Sequence, residues 1–233
     1  MKANAAIAAW QGHHKCENCA IRDGALFARL IEEDFQRIHL PIEELAFRRG
    51  EVIFHAASAV EHVFTIRSGL VKLVQISANG NQRIVRLLRR GDLLGMERLS
   101  GAETEYDAIA LNDVEVCKIP LAVVQALQAE SPRLYEQLMQ QWHRALSEAG
   151  KWLAELSTGP ARCRVTRLLL LLDEYKEGER FFLPTREEMG AILGITTEST
   201  SKVTAEFKRA GWLELHGASE AGIDRETLSG IEC

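Results

Sequence analysis

Residues 185–212 read TREEMGAILGITTESTSKVTAEFKRAGW, and this stretch predicts two short helices joined by a tight turn. Thr185 and Glu188 have the spacing of a capping box, which predicts the start of the first helix. Gly194 supplies the turn, and Gly211 ends the second helix. This order is typical of a helix-turn-helix, whose second helix enters the major groove of DNA. An ordinary helical hairpin with a solvated charged face is the alternative interpretation.

The second helix of this motif has one apolar face and one polar face. Thr196 or Thr197 can cap its start, and Val203 and Phe207, four residues apart, form its buried face. The side chains left outside are polar and lie mostly near the start of the helix. We therefore expect these residues to contact DNA: Thr197, Glu198, Ser201, Lys202 and Lys208.

Composition limits the classes of protein to which the chain can belong. Its 233 residues are enough for two domains with a well-buried core. No apolar run reaches membrane-spanning length and the start of the chain has no signal-peptide pattern, so we expect a cytoplasmic protein without a membrane partner. In that compartment the five cysteines are expected to be reduced, metal-ligating or buried rather than disulfide-bonded. No catalytic motif appears, so an enzyme is not predicted.

The charge balance is unusual for a DNA-binding protein. The net charge is −5, and residues 161–233 hold ten Lys and Arg against thirteen Asp and Glu. Any positive potential must therefore be local, and its candidates are Lys202, Lys208, Arg209 and Arg186.

The rest of the chain predicts an α+β protein with a sensor domain ahead of the helix-turn-helix. Residues 1–25 form a Cys- and His-bearing leader, and residues 26–130 form a β-roll of the jelly-roll type that begins with a helix over 26–40. Asn79-Gly80 is a hairpin signal between two alternating runs. The predicted strands are Glu51–Phe54, Val63–Ile66, Leu70–Ile76, Gln82–Leu88, Tyr106–Leu111 and Val114–Ile119.

A long helix follows over residues 131–158, opened by Ser131-Pro132. Its apolar or small positions are spaced mostly by four and three residues, which predicts a seam for a partner helix and hence a homodimer. Packing of the same seam on the β-roll is the alternative. The seam consists of Leu134, Leu138, Trp142, Ala145, Ala149, Trp152 and Leu156.

Residues 159–233 are predicted to form the DNA-binding domain. A helix begins at about Ala161 and a short strand over 181–184 follows. After the helix-turn-helix, the pattern of Leu213–Ile223 predicts a two-stranded wing. This order of elements is that of a winged helix.

The whole chain resembles the Crp/Fnr superfamily of bacterial transcription regulators, and it is closer to the Fnr branch than to the cyclic-AMP receptor branch. The markers are FTIRSG at 64–69, GDLLG at 91–95 and LGITTESTSK at 193–202. The resemblance implies a cyclic-nucleotide-binding-like β-roll and a homodimer that binds a palindromic double-stranded promoter site and contacts RNA polymerase. The Fnr-branch pattern E-x-x-S-R corresponds here to Glu198, Ser201 and Lys202, so a lysine stands where that branch has arginine. Lysine can reach guanine acceptors but lacks the two-pronged arginine geometry.

The resemblance suggests an iron–sulfur cluster as the sensor. Fnr-branch sensors hold a 4Fe–4S cluster with leader cysteines and one distant strand cysteine, and Cys16, Cys19 and Cys117 match these places. The third leader cysteine of that branch would fall at Ala25, so a fourth ligand is missing. The candidates for that ligand are Asp23, His13 and His14.

Other inputs remain open from the sequence. Cyclic AMP is disfavoured, because the segment that would hold its phosphate is acidic and Arg98 lacks the expected neighbours. Zinc or a thiol switch could use Cys16 and Cys19, and haem, with nitric oxide or another gas, could use His55 or His62. Cys163 and Cys233 are predicted to take no part in a metal or cluster site. A ligand-binding module without DNA activity is the remaining class.

Overall fold

The computed structural model describes residues 26–27, 42–77 and 80–233. The predicted leader, most of the predicted 26–40 helix and Asn79 lie outside the described residues. The described chain forms two compact units. One contains residues up to Val74 together with Leu87–Ala145, and the other contains Gln75–Arg86 together with Leu146–Cys233.

Two four-stranded sheets build the β-roll, in the orders β1-β8-β3-β6 and β2-β7-β4-β5. Each predicted run overlaps a strand, which confirms the β-roll, whereas β1 and β6 fall outside the predicted runs. A short 3₁₀ helix, Met96–Ser100, follows β6. The strands are β1 Glu43–Phe47, β2 Val52–Phe54, β3 His62–Ser68, β4 Val71–Ile76, β5 Gln82–Leu88, β6 Leu93–Leu94, β7 Asp107–Ala110 and β8 Val114–Pro120.

Strand β3 is central to the first sheet because it pairs antiparallel with β8 on one side and β6 on the other. Val63 and Ile66 on this strand are fully buried. Apolar side chains of the two sheets form one core cluster around Phe54, Phe64 and Val116. A second cluster joins the first sheet to the helices that follow it, through Val124 and Leu127.

The long helix begins at the predicted residue, but part of the face predicted to contact a partner helix packs inside its own chain. Helix α1, Leu121–Glu130, precedes helix α2, Pro132–Lys151, which continues into one π-helical turn, Trp152–Leu156. Leu134 and Leu138 are buried in the second core cluster, and Leu156 is also buried. These three residues of the predicted seam are therefore unavailable to a partner helix, and assigning them to dimerisation was wrong.

A different apolar stripe of the same helix is exposed. It is shifted by one residue from Leu134 and Leu138 and repeats at four- and three-residue steps. Trp142 and Ala149 belong to both the predicted seam and this stripe, whereas Ala145 and Trp152 are half-buried beside it. The large members are Tyr135, Met139, Trp142, Leu146 and Leu153, the last two being 74% and 66% exposed.

The second unit contains the predicted winged helix. Its strands form a sheet of order β10-β11-β9, so the wing prediction is confirmed. No helix of the described part of the chain is long and apolar enough to cross a bilayer. The elements are α3 Ala161–Glu174, β9 Phe181–Phe182, α4 Arg186–Leu193, α5 Thr197–Arg209, β10 Leu213–His216, β11 Glu220–Ile223 and α6 Arg225–Ser229.

A disulfide joins Cys163 on α3 to Cys233, and their Cα atoms are 5.5 Å apart. The expectation that the cysteines are reduced, metal-ligating or buried rather than disulfide-bonded was wrong for this pair. Seventy residues of sequence separate them, and only the packing of α6 against α3 returns the end of the chain to the start of that helix. Local sequence spacing therefore gave no sign of the pair.

Gly69 lets the β3–β4 turn pass close to the loop before β8, which generates a stability prediction. Its φ is +83°, and a Cβ there would overlap the Asp113 carbonyl oxygen and lie 2.9 Å from Asn112 Oδ1. Gly50 has a φ of +86° with open space around its Cβ position. We expect Gly69→Ala to lower the free energy of unfolding by about 1–3 kcal/mol more than Gly50→Ala, because both carry the φ penalty and only Gly69→Ala adds overpacking. Urea denaturation followed by fluorescence measures this difference, and equal losses in the two variants would contradict it.

Candidate nucleic-acid interface

The recognition helix α5 is capped and oriented by local hydrogen bonds. Thr196 is its N-cap, and its hydroxyl oxygen accepts from the backbone N–H of Ser199 at 3.1 Å. Thr200 and Thr204 are buried and donate their hydroxyls back to carbonyls one turn earlier, at 3.2 and 2.8 Å. A capped start with internally satisfied hydroxyls lets the other face carry polar groups into solvent.

The exposed and buried faces of α5 are those the sequence predicted. Val203 and Phe207 are buried. The predicted DNA contacts are all exposed, and they follow one another at helical spacing along one side: Thr197, Glu198, Ser201, Lys202 and Lys208.

The two helices of the motif cross closely at a glycine. A Cβ on Gly190 of α4 would lie 2.8 Å from the Ile195 carbonyl oxygen and 3.5 Å from the Thr197 backbone nitrogen. Helix α4 starts with the predicted capping box between Thr185 and Glu188. It ends at Gly194, whose φ of 63° is left-handed. Sequence reasoning assigned the turn to Gly194 but did not recognise Gly190 as the contact that sets how closely the helices approach.

Three arginines contact the two helices of the motif and stabilise their placement. None of these three roles was predicted from the sequence. Arg164 Nη1 donates to the Leu193 carbonyl and Arg83 Nη1 donates to the Ala191 carbonyl, both at 2.9 Å. These carbonyls close the C-terminal turn of α4, where a positive charge is favoured by the helix dipole. Burial and the nearby Arg164 guanidinium lower the pKa of Arg83 below its ordinary value.

The third arginine holds the end of the recognition helix. Arg162 Nε donates to Glu206 Oε1 at 3.0 Å, and its guanidinium carbon lies 5.5 Å from the ring centres of Phe207 and Trp212. The charge contact is half-exposed, so the stacking on two rings is the larger constraint. Helix α3 therefore contacts both helices of the motif through two side chains of its first turns.

The positive charges at the surface of the motif are few. Lys202, Lys208 and Arg209 are exposed, and none of the ion pairs in the described part of the chain involves them. Arg186, the fourth predicted contributor, is half-buried, and its guanidinium lies 3.4 Å from Met189 Sδ. Burial lowers the pKa of Arg186. The local positive potential is thus carried mainly by α5.

The candidate metal ligands are only partly within the described chain. Cys117 lies on β8 opposite Glu44 and Thr65 and packs, half-buried, against the core cluster that includes Leu26 and Phe27. Cys16, Cys19, Asp23, His13 and His14 lie outside the described residues. Within residues 26–27, 42–77 and 80–233, no group of three or more His, Cys, Asp or Glu could hold a metal ion.

The segment that would hold a cyclic nucleotide is acidic and its arginine is already engaged. Arg98 Nε donates to the Val60 carbonyl at 2.9 Å, and Nη1 donates to the Ala102 carbonyl at 2.6 Å. Burial raises the pKa of Glu97, and the Glu105 carboxylate adds to the rise. A guanidinium committed to backbone carbonyls beside two carboxyl groups is poorly suited to a phosphate.

The two β-roll histidines occupy different surroundings. The imidazole of His55 is 71% exposed, and its Nδ1 lies 3.3 Å from Asp107 Oδ1. His62 lines an open cleft of about 560 Å³ with Glu43 and Lys118. Burial, followed by the Lys118 charge, lowers the pKa of His62, and this favours its neutral form at pH 7.

Known families and proteins match both units of the chain. The model of the cyclic nucleotide-binding domain matches residues 44–131, and that of the Crp-like helix-turn-helix domain matches residues 163–231. The fumarate and nitrate reduction regulatory protein of Vibrio cholerae is 26% identical over 210 residues, which cover 87% of this chain and 84% of that protein. The transcriptional activator protein FnrL of Cereibacter sphaeroides is 27% identical over 214 residues, which cover 88% of this chain and 86% of that protein.

A solved structure extends the likeness to the fold. FixK2 from Bradyrhizobium japonicum superposes with a TM-score of 0.75 at 23% identity, covering 83% of this chain and 98% of that one. The two matched domains agree with the β-roll and with the helix-turn-helix geometry of α4 and α5. The relatives are regulators rather than enzymes. The chain belongs to the Crp/Fnr superfamily of bacterial transcription regulators, closer to its Fnr branch than to its cyclic-AMP receptor branch.

Proposed function

We propose that the chain is a cytoplasmic, homodimeric regulator that reads a palindromic promoter site with Glu198, Ser201 and Lys202 and acts there on RNA polymerase. The observation that carries this proposal is the exposed polar face of α5, held by a capped start and by arginines on α3 and the β5 strand. Two such helices related by a two-fold axis would meet half-sites about one helical turn apart.

The three proposed reading residues have distinct chemical roles. The Glu198 carboxylate accepts hydrogen bonds, which suits the amino group of cytosine, and Ser201 can donate or accept. The Lys202 ammonium donates to guanine acceptors as a point charge, without the fixed fork of an arginine. Lys208 lies on the same side near the end of α5, and we propose that its ammonium contacts a backbone phosphate.

We expect Lys202→Ala and Lys208→Ala to affect DNA binding differently. Lys202→Ala removes a base contact, so discrimination at one position of the half-site falls by about 1–3 kcal/mol. Lys208→Ala removes a phosphate contact, so all sequences bind more weakly and the salt dependence loses about one counterion. Affinities for a panel of symmetric duplexes, selected from a randomised library and then varied one base at a time, measure both effects. An unchanged base preference at every position in Lys202→Ala would contradict the assignment.

The dimer is proposed to form through the exposed stripe of α2 rather than through the predicted seam. Met139, Leu146 and Leu153 recur every seven residues, and Tyr135 and Trp142 occupy the alternate apolar positions of the same heptads. An apolar heptad seam of this kind is stabilised by a second helix. The stripe is left exposed after α2 has already buried Leu134 and Leu138 in its own domain.

Leu146→Glu tests this interface, and Ser147→Glu is its matched control. Both residues are exposed on α2, and only Leu146 belongs to the stripe. We expect Leu146→Glu to raise the monomer–dimer dissociation constant at least about 100-fold, because two carboxylates would be buried in an apolar seam, and to weaken binding to the palindromic duplex. Analytical ultracentrifugation of both variants measures the change. Equal self-association of the two variants would contradict the interface.

The proposed signal is oxygen or redox state, received through Cys16, Cys19 and Cys117. Cys117 packs against the cluster containing Leu26 and Phe27. Cys19 precedes Leu26 by seven residues, a span of up to about 24 Å, so the leader thiols can reach Cys117. A 4Fe–4S cluster, when bound, would supply oxygen-sensitive redox chemistry. Asp23, His13 and His14 are the candidate fourth ligands, and zinc or a thiol pair at the same leader residues are the competing occupants.

Metal analysis of protein prepared without oxygen tests this signal. We expect iron and acid-labile sulfide in the wild-type protein and their loss in Cys117→Ser, because thiolates are the ligands of such clusters. Cys163→Ser is the control and should keep both, since that cysteine lies in the other unit. Zinc in place of iron would favour the zinc alternative. Absence of iron after anaerobic reconstitution would overturn the cluster.

A further inference from the structure

We infer that Cys163 and Cys233 form a reversible redox pair that fastens the end of the chain to the DNA-binding domain. Cys163 is the third residue of α3 and is buried, whereas Cys233 is exposed. Their Cα separation of 5.5 Å lies within the usual disulfide range. The bond closes a loop that contains β9, both helices of the helix-turn-helix and the wing.

Non-covalent contacts also hold the segment that carries Cys233 against α3. Leu228 of α6 is buried, and Arg225 donates to Asp173 Oδ2 at 2.8 Å and to Glu174 Oε1 at 3.1 Å. Burial disfavours the charged form of Asp173, but hydrogen bonds from Lys176 and Arg225 outweigh it and lower the pKa of Asp173. The C-terminal segment is thus docked on α3 by non-covalent contacts, and the disulfide can open and close on a preformed site.

The pair lies in the turn that braces the DNA-reading motif. Arg162 and Arg164 flank Cys163, and they contact Glu206 of α5 and the Leu193 carbonyl of α4. The state of this one sulfur therefore acts on the turn that holds both helices of the motif.

The inference rests on the proposed cytoplasmic location, which argues against a permanent bond at this position. A regulator that binds chromosomal DNA works where glutathione and thioredoxin keep thiols reduced, and disulfides found there are usually transient and redox-sensing. The exposed Cys233 and the buried Cys163 match the arrangement of an attacking thiol and a resolving thiol.

The reaction balances with a low-molecular-weight disulfide such as oxidised glutathione as the oxidant. The Cys233 thiolate attacks one glutathione sulfur, forming a mixed disulfide and releasing one glutathione thiolate. The Cys163 thiolate then attacks the Cys233 sulfur and releases the second glutathione. Two electrons pass from the protein thiols to the glutathione disulfide, and the two protons lost by the protein are taken up by the released thiolates.

The test uses the full-length protein in buffers that range from reduced to oxidised glutathione. After alkylation and digestion, mass spectrometry measures the linked Cys163–Cys233 peptide. We expect the link to form in oxidised buffer, to disappear in the reduced buffer and to be absent in Cys233→Ser. Because Cys233 is exposed, this variant leaves the buried core intact. Cys117→Ser removes a thiol outside the pair and should keep the link.

Thermal denaturation of the same samples supplies a second readout. We expect oxidation to raise the midpoint of the DNA-binding-domain transition on the order of 10 °C, because the bond constrains the unfolded loop, and to leave Cys233→Ser unchanged. Alkylation of both cysteines at every glutathione ratio, or a link that survives the fully reduced buffer, would overturn the inference. Neither readout depends on the leader cysteines or on DNA, so failure here is distinct from failure of the proposed signal.

Discussion

The close crossing of α4 and α5 at Gly190 is the constraint on which the DNA-reading surface depends. With no side chain there, the Ile195 carbonyl and the start of α5 approach to a distance that any Cβ would violate. That approach fixes the turn at Gly194 and places Thr196 to cap α5. The exposed positions of α5 follow from the cap and the crossing, because helical spacing then determines which side chains face solvent.

The arginines behind the motif complement this crossing. Arg83 and Arg164 bond neighbouring carbonyls at the end of α4, where two guanidinium groups in proximity repel each other but are each favoured by the helix terminus. Some of the positive groups of the domain therefore stabilise its structure. In the proposed complex, Lys202 and Lys208 supply the potential that faces DNA in a chain of net charge −5. We therefore expect weak non-specific binding, with base contacts and dimer geometry carrying more of the affinity.

Local patterns predicted the parts of the molecule that local forces determine. The capping box at Thr185, the strand runs of the β-roll and the wing after Trp212 were all predictable, since capping, period-two alternation and turn glycines act within a few residues. Arg83 on β5 and Cys233 at the end of the chain act across 108 and 70 residues of sequence. No spacing rule reaches that far, so the bracing of α4 and the disulfide emerged only from the folded structure.

Helix α2 shows why a correct periodicity can still give the wrong face. The helix carries two apolar stripes one residue apart, one ending in the sensor core through Leu134 and Leu138 and the other exposed through Tyr135 and Met139. Adjacent helical positions differ by about 100° around the axis. The predicted dimer seam therefore starts on the buried stripe and crosses to the exposed stripe near Trp142. A helix that serves only its own domain needs one stripe. The second stripe leaves apolar side chains in solvent, and apolar side chains at heptad spacing are stabilised when a second copy covers them.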